Sequence, residues 1–224
     1  MPHIQPPGAT FFVTFNLAGS LPRSILQQWR SEKRLLEVEK LHVLKLRNSD
    51  RLAAVEHKIF EKKREWFQKF EKTLDNAQSG PIWLNDGQIA KEVADSMHYR
   101  DKQVFCLEAY CIMANHVHVV FTPLPIQPLE VLQTVSPRNK TAQTNSLCYK
   151  SLSSIMQSLK GYTARKANQL LGRNGAFWHH ESFDHCVRNP NELKRIISYV
   201  LNNPVKAGLV DEWDNWQWSY YRTA

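Results

Sequence analysis

The sequence predicts an α+β fold, with a largely antiparallel sheet and helices packed against it. Three observations lead there. Ala9-Thr-Phe-Phe-Val-Thr-Phe-Asn16 is rich in β-branched and aromatic residues and reads as a first strand. Residues 103–113 and 116–121 read as two more strands, separated only by Ala114-Asn115, which suggests a hairpin or a bulged turn. Stretches with helical periodicity alternate with them, giving the order strand, helices, two strands, helix, strand, helix.

Taken in order, Gly19, Ser20 and Pro22 break the first strand. Residues 24–72 contain no Pro or Gly, are highly charged, and repeat apolar residues at helical spacing (Leu35, Val38, Leu41, Leu44; Leu52, Val55, Ile59). Asn48-Ser49-Asp50 suggests a break there, with Ser49 or Asp50 as N-cap, so the segment reads as a helical hairpin. Asn85-Asp86-Gly87 forms a turn whose Asp86 caps a helix over 88–99. Pro123, Pro125 and Pro128 end the third strand. The polar residues 136–146 suggest a mobile loop. A helix follows over about 147–171, closed by Gly172 and Gly175. Residues 177–187 read as irregular or strand. Asn189-Pro190-Asn191 caps a last helix over 192–202, which Pro204 stops.

The 224 residues suit one domain, here with the segment at about 24–72 as a helical insertion, and the hydrophobic content of 42% supports a real core. No apolar run is long enough to span a bilayer, and the N-terminus lacks the basic and apolar regions of a signal peptide. A soluble, intracellular, cytoplasmic protein is expected, with no membrane partner. Its four cysteines form no Cys-x-x-Cys pair, which argues against a zinc ribbon or a redox motif; reduced thiols are expected. The net charge of +8 favours polyanions, because Lys and Arg release the counterions condensed on phosphates. Seven Trp and seven Tyr supply rings that could stack on unpaired bases, although core packing accounts for most of them.

The sharpest local feature is His116-Val117-His118. Residues i and i+2 of a strand share a face, so both imidazoles project together and could share one divalent cation. Spacing alone suits two polar residues on a solvated face equally well. A second feature is Tyr199-Val-Leu-Asn-Asn203: at i and i+4 on a helix, Tyr199 and Asn203 lie one turn apart on one face. They could be a nucleophile and a metal ligand, or a core aromatic and a helix C-cap. Tyr162, in Lys160-Gly-Tyr-Thr-Ala-Arg165, is the rival nucleophile. Its neighbours Lys160, Arg165 and Lys166 suit phosphate contacts. His179, His180 and His185 could extend the site, but surface positions suit them better. Trp178 and Phe183 could pack beneath it.

Ala114-Asn-His-Val-His-Val-Val-Phe121 resembles the His-hydrophobe-His motif of the single-tyrosine HUH transposases, specifically the REP-associated tyrosine transposase group. Gly175-Ala-Phe-Trp-His-His-Glu-Ser-Phe-Asp-His185, Arg188-Asn-Pro-Asn-Glu-Leu193 and Tyr199-Val-Leu-Asn-Asn-Pro-Val-Lys-Ala-Gly-Leu-Val210 match its later segments, and Pro7-Gly-Ala-Thr-Phe-Phe-Val-Thr-Phe15 resembles its first strand. The match covers most of the chain outside the helical hairpin and the loop of the 130s and 140s. The hairpin is long for the minimal domain of that family.

The resemblance implies a ferredoxin-like HUH domain with the histidines on a central strand. It implies that His116 and His118 bind Mg²⁺ or Mn²⁺, that Asn203 completes the metal site, and that Tyr199 attacks the scissile phosphate. A 5′-phosphotyrosine and a free 3′-OH would result. The implied partner is single-stranded DNA carrying a hairpin, met by a monomer or homodimer in DNA transposition or at repeated elements of a prokaryotic nucleoid. Two other classes remain open from sequence: a hairpin-binding descendant without catalysis, and a metal phosphodiesterase that uses water.

Overall fold

The structure, a computed structural model, describes residue 6 and residues 8–46, 49–75, 80–126 and 149–223. The loop expected at 136–146 and Cys148 lie outside the described residues. Two compact units make up the chain. One joins residues 1–16 to residues 83–224; the other spans residues 17–82.

The first unit is a five-stranded sheet with its strands in the order β4-β1-β3-β2-β5. The strands are β1 (Phe11–Asn16), β2 (Phe105–Ile112), β3 (His116–Pro123), β4 (Phe183–Cys186) and β5 (Ser219–Tyr221), and every pairing is antiparallel. Between β1 and β2 lies α3 (Gly87–Arg100); between β3 and β4 lies α4 (Leu152–Leu170). Two split β-α-β units therefore interlock, which is the ferredoxin-like plan, with β5 added at the β2 edge. Sheet and flanking helices match the α+β class read from the sequence.

Local chemistry explains the element ends. Asp86 caps α3 by accepting from Gln88 N at 2.8 Å, as expected. The β2–β3 turn is tight: Met113 N donates to His116 O at 2.9 Å across Ala114 and Asn115. Helix α4 starts at Leu152, later than the expected 147, because Ser151 accepts from Ser154 N and fixes the start. Gly172, at φ +59°, closes it. Asn189 caps α5 (Pro190–Leu201) by accepting from Glu192 N at 2.9 Å.

Pro204 does not simply end the helical run. It sits in the first turn of a short helix, α6 (Asn203–Lys206), where its missing N–H costs nothing. Strand β5 was not expected. Ile112 N donates to Trp218 O, and Trp216 Nε1 donates to Ile112 O, so the C-terminal tail is fastened to β2.

The sheet has two unlike faces. Phe15 meets Trp178 at 4.8 Å, and Trp178 donates to Thr163 of α4, which places α4 on the face of Phe11, Val13, Phe15, Val117, Val119 and Phe121. Helix α5 packs across β2 and β3 on the other face, where the ring of Tyr199 meets Phe12. No helix among the described residues is long and apolar enough to cross a membrane.

The second unit is built on α1 (Arg23–Lys45) and α2 (Ser49–Asp75), packed as a helical hairpin and extending slightly beyond the expected 24–72. Ser49 and Asp50 lie inside the first turn of α2 and are not its N-cap. Leu21, Phe70 and Leu74 form a small core, lined by Leu26, Trp29 and Phe67. Trp66 Nε1 donates to Glu32 at 2.7 Å, and Lys40–Glu56 and Lys58–Glu39 bridge the two helices.

Candidate active site

Polar residues inside an otherwise apolar sheet mark the site. All six residues of β1 are buried, as are seven of the eight in β3. Thr14 pairs with His118 and Asn16 with His116, so these four polar side chains share one face of the central strand β3 and its neighbour β1. Burying them unpaired would be costly, which makes their hydrogen bonds informative.

His116 Nδ1–H donates to Asn115 Oδ1 at 2.6 Å, leaving Nε2 as a lone pair. That lone pair faces Nε2 of His118 at 3.0 Å. The second ring's Nδ1 lies 2.8 Å from the hydroxyl of Thr14, which can donate or accept. If Thr14 donates, His118 carries its proton on Nε2 and the rings hydrogen-bond to each other. If His118 donates to Thr14, both Nε2 lone pairs converge. Two ligands about 2.1 Å from one ion, at right angles, lie about 3.0 Å apart, so the observed spacing fits adjacent positions of an octahedral cation. Thr14 and Asn115 are then the outer partners that orient a ligand histidine.

Burial keeps both rings neutral, as metal ligands must be. It lowers His116 to about 3. It also carries His118 well below its ordinary value, helped by the repulsion that a proton on both rings would bring and by the charge of Lys206.

Helix α5 brings Tyr199 to this pair. Its ring lies 5.7 Å from that of His118, centroid to centroid, at 70°. Phe12 stacks on His118 at 5.8 Å and meets Tyr199 edge-on at 6.0 Å, so three rings fix one another. Lys206, from α6, holds its Nζ 4.3 Å from the Tyr199 centroid. Asn203 is buried, and its Nδ2 donates to Tyr199 O at 2.9 Å and Val200 O at 3.5 Å. It therefore caps α5; a ligand role would use Oδ1.

The remaining candidates are placed elsewhere. Tyr162 is exposed on α4, with Arg100 5.7 Å from its ring, on the side of the sheet away from the histidines. Lys160 turns inward. Its ammonium donates to His179 O at 2.6 Å, His180 O at 2.9 Å and Ser182 Oγ at 3.2 Å, and burial lowers it to about 8. Arg165 is exposed and Lys166 half-buried. His185 pairs with Glu192 at 3.1 Å, His179 is half-buried with its backbone N–H donating to Asn16 O, and His180 is exposed. Trp178 packs on the face opposite the histidines, whereas Phe183 meets Phe12 on theirs. Sequence reasoning missed Thr14, Asn115 and Lys206. Thr14 carried a signal, as the one polar side chain inside Phe-Phe-Val-Thr-Phe.

No protein-family profile matches the chain. A solved structure described as a REP-associated tyrosine transposase bound to a REP hairpin aligns with 98% of this chain and 80% of its own, at TM-score 0.47 and 14% identity. A Haemophilus influenzae protein named "Putative REP-associated tyrosine transposase" is 22% identical over 113 residues, half of this chain and 57% of that one. The chain thus spans little more than half the length of this relative. By sequence, the chain is similar to a protein named for the REP-associated tyrosine transposases, the group its own motifs resemble.

Proposed function

We propose that the chain is a divalent-metal-dependent single-strand DNA endonuclease and strand transferase, with Tyr199 as nucleophile. The observation that carries this reading is the contact of Tyr199 with His118, beside two Nε2 atoms that converge at 3.0 Å. A buried, neutral histidine pair with a phenol against it suits metal-assisted phosphoryl transfer. The named relative and the motif order support the same class.

His116 and His118 would hold the ion, Mg²⁺ or Mn²⁺, with Asn203 Oδ1 as third ligand. When bound, it would polarise the scissile phosphate and offset its developing charge. Tyr199 Oη, losing its proton, forms a bond to phosphorus. The P–O3′ bond breaks, and its electron pair leaves with O3′, which takes up a proton. The products are a 5′-phosphotyrosine and a free 3′-OH. Since the phosphodiester energy is kept in the P–Oη bond, a second 3′-OH can reverse the step and join strands.

Single-stranded DNA with a folded hairpin is the proposed substrate, on the motif resemblance and the charge of +8. The test is incubation of the full chain with labelled single-stranded hairpins and Mg²⁺ or Mn²⁺, read on a denaturing protein gel. A labelled band at the mass of protein plus DNA is expected. Cleavage without such a band would favour hydrolysis by water; binding without cleavage would favour a non-catalytic hairpin binder.

A further inference from the structure

We infer that Lys206 binds the scissile phosphate and holds it against the Tyr199 hydroxyl, an inference that rests on the tyrosine-transferase reading above. Three features carry it. Its ammonium stands 4.3 Å from the centre of the Tyr199 ring, so it already occupies the nucleophile's side of the site. The backbone beneath it is fixed: Lys206 N donates to Asn202 O, Ala207 N to Asn203 O and Leu209 N to Pro204 O, which anchors the turn to the residues just after the tyrosine helix. Among the described residues no carboxylate forms an ion pair with it, although Lys40, Lys58, Lys62, Lys91 and Arg222 are each paired in this way.

Lys206 and His118 both lie against the ring of Tyr199, the ammonium 4.3 Å and the imidazole 5.7 Å from its centre. On this side of the site an ammonium stands with a phenol and an imidazole. A phosphodiester supplies the anion that would complement them. Lys206 is exposed, and its four-carbon stem lets the ammonium swing from the ring to a non-bridging oxygen without moving the backbone. It would arrive already aligned with the attacking oxygen, as a donor aimed at charge that grows in the transition state should be.

Cation–π packing alone would also place a lysine here, and the experiment separates the two. The full chain is first given a labelled library of single-stranded hairpins with randomised flanks, and the cleaved site is mapped from the adduct. Single-turnover cleavage is then compared for wild type, Lys206→Ala and Lys206→Arg. Lys206→Ala should be slower by about 10-fold to 100-fold, with Lys206→Arg recovering most of the rate. The same DNA is next made with an uncharged methylphosphonate at the scissile position. Its affinity is measured in EDTA, in a Tyr199→Phe background that cannot cleave. With Lys206 present, the charged linkage should bind several-fold more tightly than the neutral one; with Lys206→Ala that preference should vanish. Wild type that never forms an adduct defeats the underlying reading, and the inference with it. Wild type that cleaves no faster than Lys206→Ala overturns the inference alone. So does a slow Lys206→Ala that keeps the preference for the charged linkage, because Lys206 would then only steady the ring.

Discussion

His118 and Tyr199 are far apart in sequence, yet their rings lie 5.7 Å apart at 70°. The contact exists because α5 crosses the one sheet face on which β1 and β3 carry their polar residues. Phe12 closes the group by touching both rings. If Tyr199 is the nucleophile proposed above, packing on two sides leaves it little rearrangement to meet a phosphate at the histidine pair, which is where proximity contributes most to rate.

Tyr199→Phe tests that relationship directly. It removes one oxygen and keeps the ring, so the packing with Phe12 and His118 should survive with a stability change under about 1.5 kcal/mol. The covalent DNA adduct should disappear while hairpin binding persists. Tyr162→Phe should leave the adduct intact, since Tyr162 stands on α4 beside Arg100 and not at the histidines. An adduct that survives Tyr199→Phe and is abolished by Tyr162→Phe would reverse the assignment.

Thr14 governs which nitrogen of His118 carries the proton. Thr14→Val keeps the shape and removes the hydroxyl 2.8 Å from Nδ1. Leaving that buried nitrogen unpaired should cost about 1–3 kcal/mol in urea denaturation. Affinity for Mn²⁺, measured by calorimetry, should fall about 10-fold to 100-fold, as for other outer partners of ligand histidines. Thr14→Ser should restore both. Unchanged Mn²⁺ affinity in Thr14→Val would remove the hydroxyl from the metal site.

Some of this site was legible in the sequence and some could not have been. The shared face of His116 and His118 follows from strand periodicity alone. The helix caps Asp86 and Asn189 follow from residue type and position. The meeting of Tyr199 with His118 does not, because it depends on the path of α5 over the sheet. Lys160 shows the same limit: its sequence signal is a positive charge, while its ammonium is spent on the carbonyls of His179 and His180. Pro204 reads as a stop because it cannot continue a helix, but the same property lets it begin one. Strand β5 carries no signal in the sequence, because three residues are too few to show alternation.

Burial of the histidines should make stability depend on pH. His116 titrates at about 3 in the folded chain, against 6.5 for an ordinary imidazole. Between those values the unfolded chain holds the extra proton, so stability falls as pH drops through the window and is regained as pH rises. The slope from one such group is at most about 1.4 kcal/mol per pH unit. In EDTA, the urea midpoint should therefore fall from about pH 7 to about pH 4.5. His116→Gln should make that dependence shallower, leaving the part that His118 contributes. An equally steep fall in the variant would place the acid sensitivity elsewhere.

The three basic residues of α4 should separate into two kinds. Lys160 makes three hydrogen bonds to the 179–182 segment, so Lys160→Met should lower stability by about 1–3 kcal/mol in urea or thermal unfolding. If its charge is fully used there, hairpin affinity in the folded fraction should change little. Arg165 is exposed and Lys166 half-buried, and neither forms an ion pair among the described residues. Arg165→Ala with Lys166→Ala should leave unfolding nearly unchanged. Affinity for single-stranded hairpin DNA should drop, and the slope of log affinity against log salt should shrink by about 0.7 for each single-strand phosphate that is no longer neutralised. A double variant that binds with wild-type affinity and slope would move the DNA path off α4. A Lys160→Met that is as stable as wild type but binds hairpins more weakly would return Lys160 to the DNA surface.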